Sequence, residues 1–407
     1  MSIATDWVRE GGHFHSCRTE ETLDLKSERF HIEEFSKRTI YHSPQTPGYT
    51  CWVGIWNMPD ESTMIAFTQA TGPLKGRPKA PPEIRERLTW PPEIAGETTD
   101  VGESYDMTGL DLRNVHLRTV DGGATWDYVS ADAFVSCMNG VAGEAETALA
   151  DGTILRSVWG FYLPYDELPQ TGFLQRSTDG SRTWGAPEIV SDPQEHTYMP
   201  KRIRVLADGR VMMTGAVADV PAASMTRAQW QQHLRPILLV SEDDGITWRE
   251  PLEVLPEDLR ISPYPGEEYD AAEMPNGDLL LVFRWAVYDP STGKFLREER
   301  RQSVLQKTGR TWKPGTISPA PFPHSGHPEL LSTREGAVLH LATSGISCTT
   351  DGGAHWHDLE GAATGYYPRA VQLADGTILC VYHEGGDNGY GQVDQSIGAC
   401  TFRLVKE

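Results

Sequence analysis

No stretch of this 407-residue chain approaches the 18 or so consecutive apolar residues that a membrane-spanning helix needs. Basic residues are in short supply: 36 Lys and Arg stand against 57 Asp and Glu, a formal charge of −21. Such an excess repels nucleic acid and anionic membranes, so neither is expected as a partner. The six cysteines, at 17, 51, 137, 348, 380 and 400, show no paired metal spacing. His13 and His15 have no carboxylate at a fixed spacing, so no metal is expected. A Gly-rich phosphate loop and a cofactor fingerprint are both missing, so no cofactor is expected either. The opening residues, Met1 to Trp7, contain no basic segment followed by an apolar run. These absences together lead us to expect a cytoplasmic protein with reduced thiols.

What is present is a repeat. The segments Thr119-Val-Asp-Gly-Gly-Ala-Thr-Trp126, Ser177-Thr-Asp-Gly-Ser-Arg-Thr-Trp184, Ser241-Glu-Asp-Asp-Gly-Ile-Thr-Trp248 and Thr349-Thr-Asp-Gly-Gly-Ala-His-Trp356 share one pattern, and a worn copy ends Gly309-Arg-Thr-Trp312. An Asp carboxylate can accept backbone N–H groups inside a tight turn, Gly supplies a positive φ, and Trp covers the following strand. A second repeat lies beside the first. Asp-Gly or Asn-Gly separates apolar runs at Asp151, Asp208, Asn276 and Asp375, with looser versions at Glu335 and Asp60. Such dipeptides are strong hairpin signals.

Six hairpins with five turns predict an all-β fold, a six-bladed propeller of four-stranded antiparallel blades in one domain spanning 1–407. The predicted blades cover about 50–130, 143–190, 199–255, 267–317, 325–360 and 366–403. The sixth lacks a turn copy, so residues 30–43 are expected to supply its fourth strand and close the ring. Residues 70–110 read as a long inserted loop, and 219–235 as an insertion with a short helix starting near Ser224.

Counting back from the hairpin turns finds the residues expected at the mouth of the central channel. They include Glu144, Glu146, Tyr198, Lys201, Arg202, Glu268, Tyr269, Asp270, His324, His327, Glu329, Tyr366, Tyr367 and Arg369. Polar and aromatic side chains recur where buried strands are usually apolar, which points to a shared pocket.

The repeated turn resembles the Asp-box of the sialidase (neuraminidase) superfamily, whose members are propellers. In that superfamily a Glu and an Arg flank the hairpin of the fourth blade, and a nucleophilic Tyr opens the last. Glu268 and Arg284 stand eight positions either side of Asn276, and Tyr367 stands eight before Asp375. The resemblance implies that Tyr367 is a nucleophile, Glu268 the base that takes its proton, and Arg284 an anchor for a substrate anion. Asp111 is the implied general acid, with Asp106 its rival. Two clamp arginines of the superfamily have no counterpart: Tyr49-Thr-Cys-Trp52 and Ser344-Gly-Ile-Ser-Cys348 stand in their places. Arg202 and Arg369 are candidates to replace them, and Tyr269 and His327 are further candidates for substrate contact.

A phenol needs a neighbouring carboxylate to activate it, and a neutral nucleophile suits an anionic sugar. The leading expectation is an exo-glycosidase that removes a terminal, acidic sugar, with carbohydrate as its partner. A uronate lyase using His324, His327, Tyr269 and Arg369, and a non-catalytic glycan-binding propeller, remain open alternatives.

Overall fold

The computed structural model describes residues 9–10, 13–14, 28–46, 48–73, 109–133, 146–158, 171–190, 192–226, 233–255, 268–289, 291–292, 294–320, 327–362, 364–385 and 394–407. The expected residues Asp106, Glu144 and His324 lie outside them, as does most of the 70–110 insertion. Among the described residues no helix is long and apolar enough to cross a membrane.

The chain forms six antiparallel blades, each running from an innermost to an outermost strand. The innermost strands are Tyr49–Asn57, Glu146–Ala148, Thr197–Val205, Tyr269–Glu273, Glu329–Ser332 and Tyr366–Gln372. Blade six takes its outermost strand from the start of the chain, where Phe30–His42 pairs along Ser396–Lys406. Blade four carries one extra short strand, Ser318–Pro319, beside Phe295–Thr308.

Local sequence sets the turns. In the first repeated turn Asp121 accepts from the Thr125 N–H at 2.9 Å and from its hydroxyl at 2.6 Å, and Thr119 Oγ1 donates back to Asp121 at 2.8 Å. Asp179, Asp243 and Asp351 make the same set with Thr183, Thr247 and His355. The Thr125 bonds, joined by that from Thr119, pull the Asp121 carboxyl down to about 2. The worn copy differs. Thr308 pairs directly with Thr311, so Gly309 and Arg310 form a two-residue hairpin there, and Gly309 takes a φ of 64°. With no Asp to hold a wider loop, the shorter turn is what the chain can make.

Hydrophobic side chains fill the gaps between blades rather than one central core. Leu279, Leu281 and Phe283 of blade four pack on Met212, Leu238 and Leu255 of blade three. Leu379, Val381 and Ile397 of blade six pack on Val53, Ile65 and Phe67 of blade one. Between blades one and two the apolar cluster is small, built on Trp56, Met64, Ala66 and Ile154. A buried polar network adds to it: His116 Nε2 lies 3.1 Å from Glu146, Arg156 donates to Asp132 at 2.8 Å, and the Arg156 guanidinium sits 3.7 Å over Trp184. Glu146 therefore serves this seam.

Among the described residues the 219–235 insertion holds a 3-10 turn, Ala222–Ser224, and a helical residue at His233, and most of the helix expected from near Ser224 falls on the residues between them. Pro221 precedes the turn, and Met225 returns to an extended conformation. Residues 227–232 lie outside the described set.

Three innermost strands break register at the same level of the ring. The breaks lie between Cys51 and Gly54, Pro200 and Ile203, and Tyr366 and Arg369. A bulge adds a residue and re-aims the side chains beside it. Trp52 and Tyr367 take left-handed φ values of 51° and 52° at two of these bulges.

Candidate active site

Tyr269 pairs with Phe283 across the first hairpin of blade four, so the residues just beyond them, Glu268 and Arg284, come opposite each other. The Arg284 N–H donates to the Glu268 carbonyl at 2.8 Å and fixes that approach. Tyr367 arrives from blade six, turned by its bulge. Its phenol donates to Glu268 Oε1 at 2.6 Å, and Arg284 Nη1 donates to Glu268 Oε2 at 2.6 Å. Arg284 Nε in turn donates to Glu298 at 2.7 Å, and Arg300 donates to the other oxygen of Glu298 at 3.0 Å. One chain of charge-assisted hydrogen bonds thus runs from a phenol through two carboxylates and two guanidiniums.

The electrostatics sort the protonation states. Burial alone would raise the Glu268 carboxyl, but Arg284, then His327, Lys201 and the Tyr367 hydrogen bond outweigh it and hold the group well below the usual carboxylate range. Burial, then the Glu268 charge, pushes the Tyr367 phenol well above its ordinary value. At neutral pH the pair is a carboxylate accepting from a protonated phenol. Glu268 also raises Arg284, which keeps its charge.

Aromatic rings enclose Tyr367. His327, Tyr366 and His383 stand 5.2, 4.7 and 5.8 Å away between ring centroids, and His383 is stacked at 16°. Trp52, Tyr49 and Ala70 of blade one complete an apolar wall on that side. His383 Nδ1 accepts the Trp52 N–H at 3.1 Å. Burial, with the Arg369 charge, pushes the His383 imidazole down to about 3, so it is neutral.

Deeper in the channel Arg202 donates to Glu329 at 2.7 Å, and Arg204 to Asp270 at 2.5 Å. Arg369 lies 3.8 Å from Glu329 and 3.3 Å from His327 Nδ1. Arg202 and Arg369 are both buried, and these contacts tie blades three, four, five and six together at the axis.

Tyr269 is placed differently from the expectation that it faces a substrate. Its ring stacks on Phe283, and its hydroxyl donates to the Ile237 and Gly215 carbonyls at 2.5 and 3.0 Å. Side chains alternate along a strand, so a residue next to Glu268 points into the seam between blades. Asp111 is also apart from the cluster. It is exposed, and its ion pair, at 2.8 Å, is with Arg113.

Glu298 and Arg300 were not among the expected residues. Their signal was available, because Arg300 is the ladder partner of Arg284 in a strand carrying Arg297-Glu-Glu-Arg-Arg301. A cavity of about 590 Å³ among the hairpin turns of blades three to five lies at the other end of the strands and contains none of these groups.

No protein-family model matches the chain. No curated protein matches its sequence. Solved structures do match in fold. A protein of unknown function from Dyadobacter fermentans aligns at 18% identity over 91% of this chain and 99% of its own, with a TM-score of 0.59. An alpha-L-arabinofuranosidase from Fusarium graminearum, solved with an iminosugar inhibitor, aligns at 12% identity over 89% and 97%, TM-score 0.57. The Trypanosoma rangeli sialidase, solved with sialic acid, aligns at 12% identity over 91% of this chain and 59% of its own, TM-score 0.53.

Proposed function

We propose that the protein is an exo-acting glycoside hydrolase of the sialidase-like propeller type, which removes a terminal acidic sugar. The observation that carries this reading is the 2.6 Å bond from the Tyr367 phenol to a buried, ionised Glu268. The repeated Asp turns and the fold shared with two glycosidases support it, one of which was solved with sialic acid.

In this reading Glu268 takes the phenolic proton as the Tyr367 oxygen attacks the anomeric carbon, and the bond to the departing oxygen breaks. The resulting aryl glycoside is then hydrolysed: water attacks the anomeric carbon and gives its proton to the carboxylate that protonated the departing oxygen, while the phenolate leaves and takes back its proton from Glu268. The protonated phenol is a neutral nucleophile, so it does not repel a sugar carboxylate as Asp or Glu would. Arg284 is 31% exposed, which leaves guanidinium surface for that carboxylate. The departing oxygen takes its proton from a general acid outside the cluster of Tyr367, Glu268 and Arg284; Asp106 and Asp111 are the sequence candidates, and Asp111 would have to leave its Arg113 pair to serve.

A panel of aryl glycosides that includes sialic and uronic acids tests the proposal. Release of the aryl group by the wild-type protein, reduced about 10³-fold or more in Tyr367→Phe, is the expected result. Absence of product across the panel, or a Tyr367→Phe variant as active as wild type, overturns it. An unsaturated product absorbing in the ultraviolet would identify a lyase instead.

A further inference from the structure

Two large residues with left-handed backbones face each other where the ring closes. Trp52 is on the innermost strand of blade one and Tyr367 on that of blade six, with φ of 51° and 52°, each beside a register break. Such conformations disfavour residues that carry a Cβ, so surrounding contacts must hold them. A bulge also takes a backbone N–H out of the regular ladder, and a buried N–H needs another acceptor.

His383 answers both needs. It lies on the second strand of blade six, Ile378–Glu384, as the ladder partner of Tyr366. Its Nδ1 accepts the Trp52 N–H at 3.1 Å, and its ring stacks on Tyr367 at 5.8 Å and 16°. Tyr366 packs edge-on against both rings. One imidazole therefore touches the backbone of one strained residue and the side chain of the other. Other bonds stitch the same seam elsewhere. Thr50 donates to the Gln395 carbonyl, Asn57 to the Gln372 carbonyl, and the Gly48 N–H to Asp394. Loss of the His383 bond thus leaves the ring closed.

We infer that His383 is a positioning residue, whose acceptor nitrogen holds Trp52 and whose ring sets the direction of the Tyr367 phenol toward Glu268. The inference rests on the reading of Tyr367 as the reacting group. It assigns His383 no proton transfer. Burial and Arg369 keep the imidazole neutral, so Nδ1 stays an acceptor through the physiological range.

Two substitutions separate acceptor from ring. His383→Asn places Oδ1 where Nδ1 stands and keeps the acceptor; His383→Phe keeps the ring and loses it. The first measurement is hydrogen exchange at the Trp52 amide, which needs no substrate. We expect exchange about fivefold or more faster in His383→Phe and near wild type in His383→Asn. The second is kcat and KM on whichever aryl glycoside the wild type cleaves. We expect kcat in His383→Asn, which lacks the stacked ring, to fall about tenfold to a hundredfold with KM held within about twofold, and a smaller fall in His383→Phe. Equal exchange in both variants, or unchanged kcat in His383→Asn, overturns the inference. If the wild type cleaves no glycoside the hydrolase reading fails, and the exchange comparison still decides whether His383 holds Trp52.

Discussion

Acid should weaken this fold through His383 in a way that one substitution removes. Burial, with the Arg369 charge, pulls the imidazole from its ordinary 6.5 down to about 3. The Trp52 N–H, the Tyr366 and Tyr367 rings and the Arg369 charge act on it, and none of these is a carboxylate or a second imidazole. Below pH 6.5 the unfolded chain therefore takes up a proton that the folded protein refuses. Stability is complete above pH 6.5 and falls as the pH drops toward the folded value. The slope of this contribution is about 1.4 kcal/mol per pH unit. Two units below 6.5, at pH 4.5, the deficit reaches about 3 kcal/mol, a large share of the margin by which most domains are folded. Asn has no titrating group, so His383→Asn should lose this term while every carboxylate contribution stays. Urea unfolding of both proteins between pH 4.5 and 7.5 measures the difference, provided the m-values agree. The wild-type stability should approach or cross below that of the variant as pH falls, with the gap changing by about 3 kcal/mol. Curves that run parallel across the range would show that His383 is protonated in the folded state, and would refute the reasoning.

Three other outcomes follow from the same geometry. Replacing Arg284 with Met removes the strongest of the neighbours that hold Glu268 down, so its pKa should rise and the acidic limb of the kcat/KM profile should move up by about one pH unit or more; an unmoved limb would separate Arg284 from the base. Tyr269→Phe strips a buried hydroxyl from the Ile237 and Gly215 carbonyls and should cost about 1–3 kcal/mol in urea unfolding. Its kcat/KM should stay within about twofold of wild type, and a larger loss would return Tyr269 to the substrate site. Removing residues 1–43 deletes the outer strand of blade six and bares the edge of Ser396–Lys406, so soluble, cooperatively unfolding protein should be lost; an unchanged melting transition would show that the strand is dispensable.

The blades were legible because their signals are local. A turn with Asp at one position and Thr four residues on, or His in the copy at Asp351, encodes its own hydrogen bonds, and four copies of it mark where strands end. The worn copy at Gly309 was legible as a turn but not in its type, since the missing Asp changes which loop is made. The pairing of Glu268 with Arg284 followed from equal spacing about Asn276. The direction of Tyr269 could have been read from alternation with Glu268, and its polar chemistry obscured that. Glu298 and Arg300 had a signal in the charged run Arg297–Arg301, but which of its members meets Arg284 depends on the register of two neighbouring strands. No pattern reveals the bulges at Trp52 and Tyr367, which depend on how two blades meet. Without them, two consecutive tyrosines would face opposite sides, and Tyr366 and Tyr367 would not share the site.

The outer strand of blade six, Phe30–His42, is made long before its partner, Ser396–Lys406. About 350 residues separate them, which at 5–20 residues per second amounts to roughly 20 to 70 s of synthesis. Throughout that time Phe30–His42 has no ladder to join. That unpaired early strand is therefore the segment most open to capture by another chain or a chaperone.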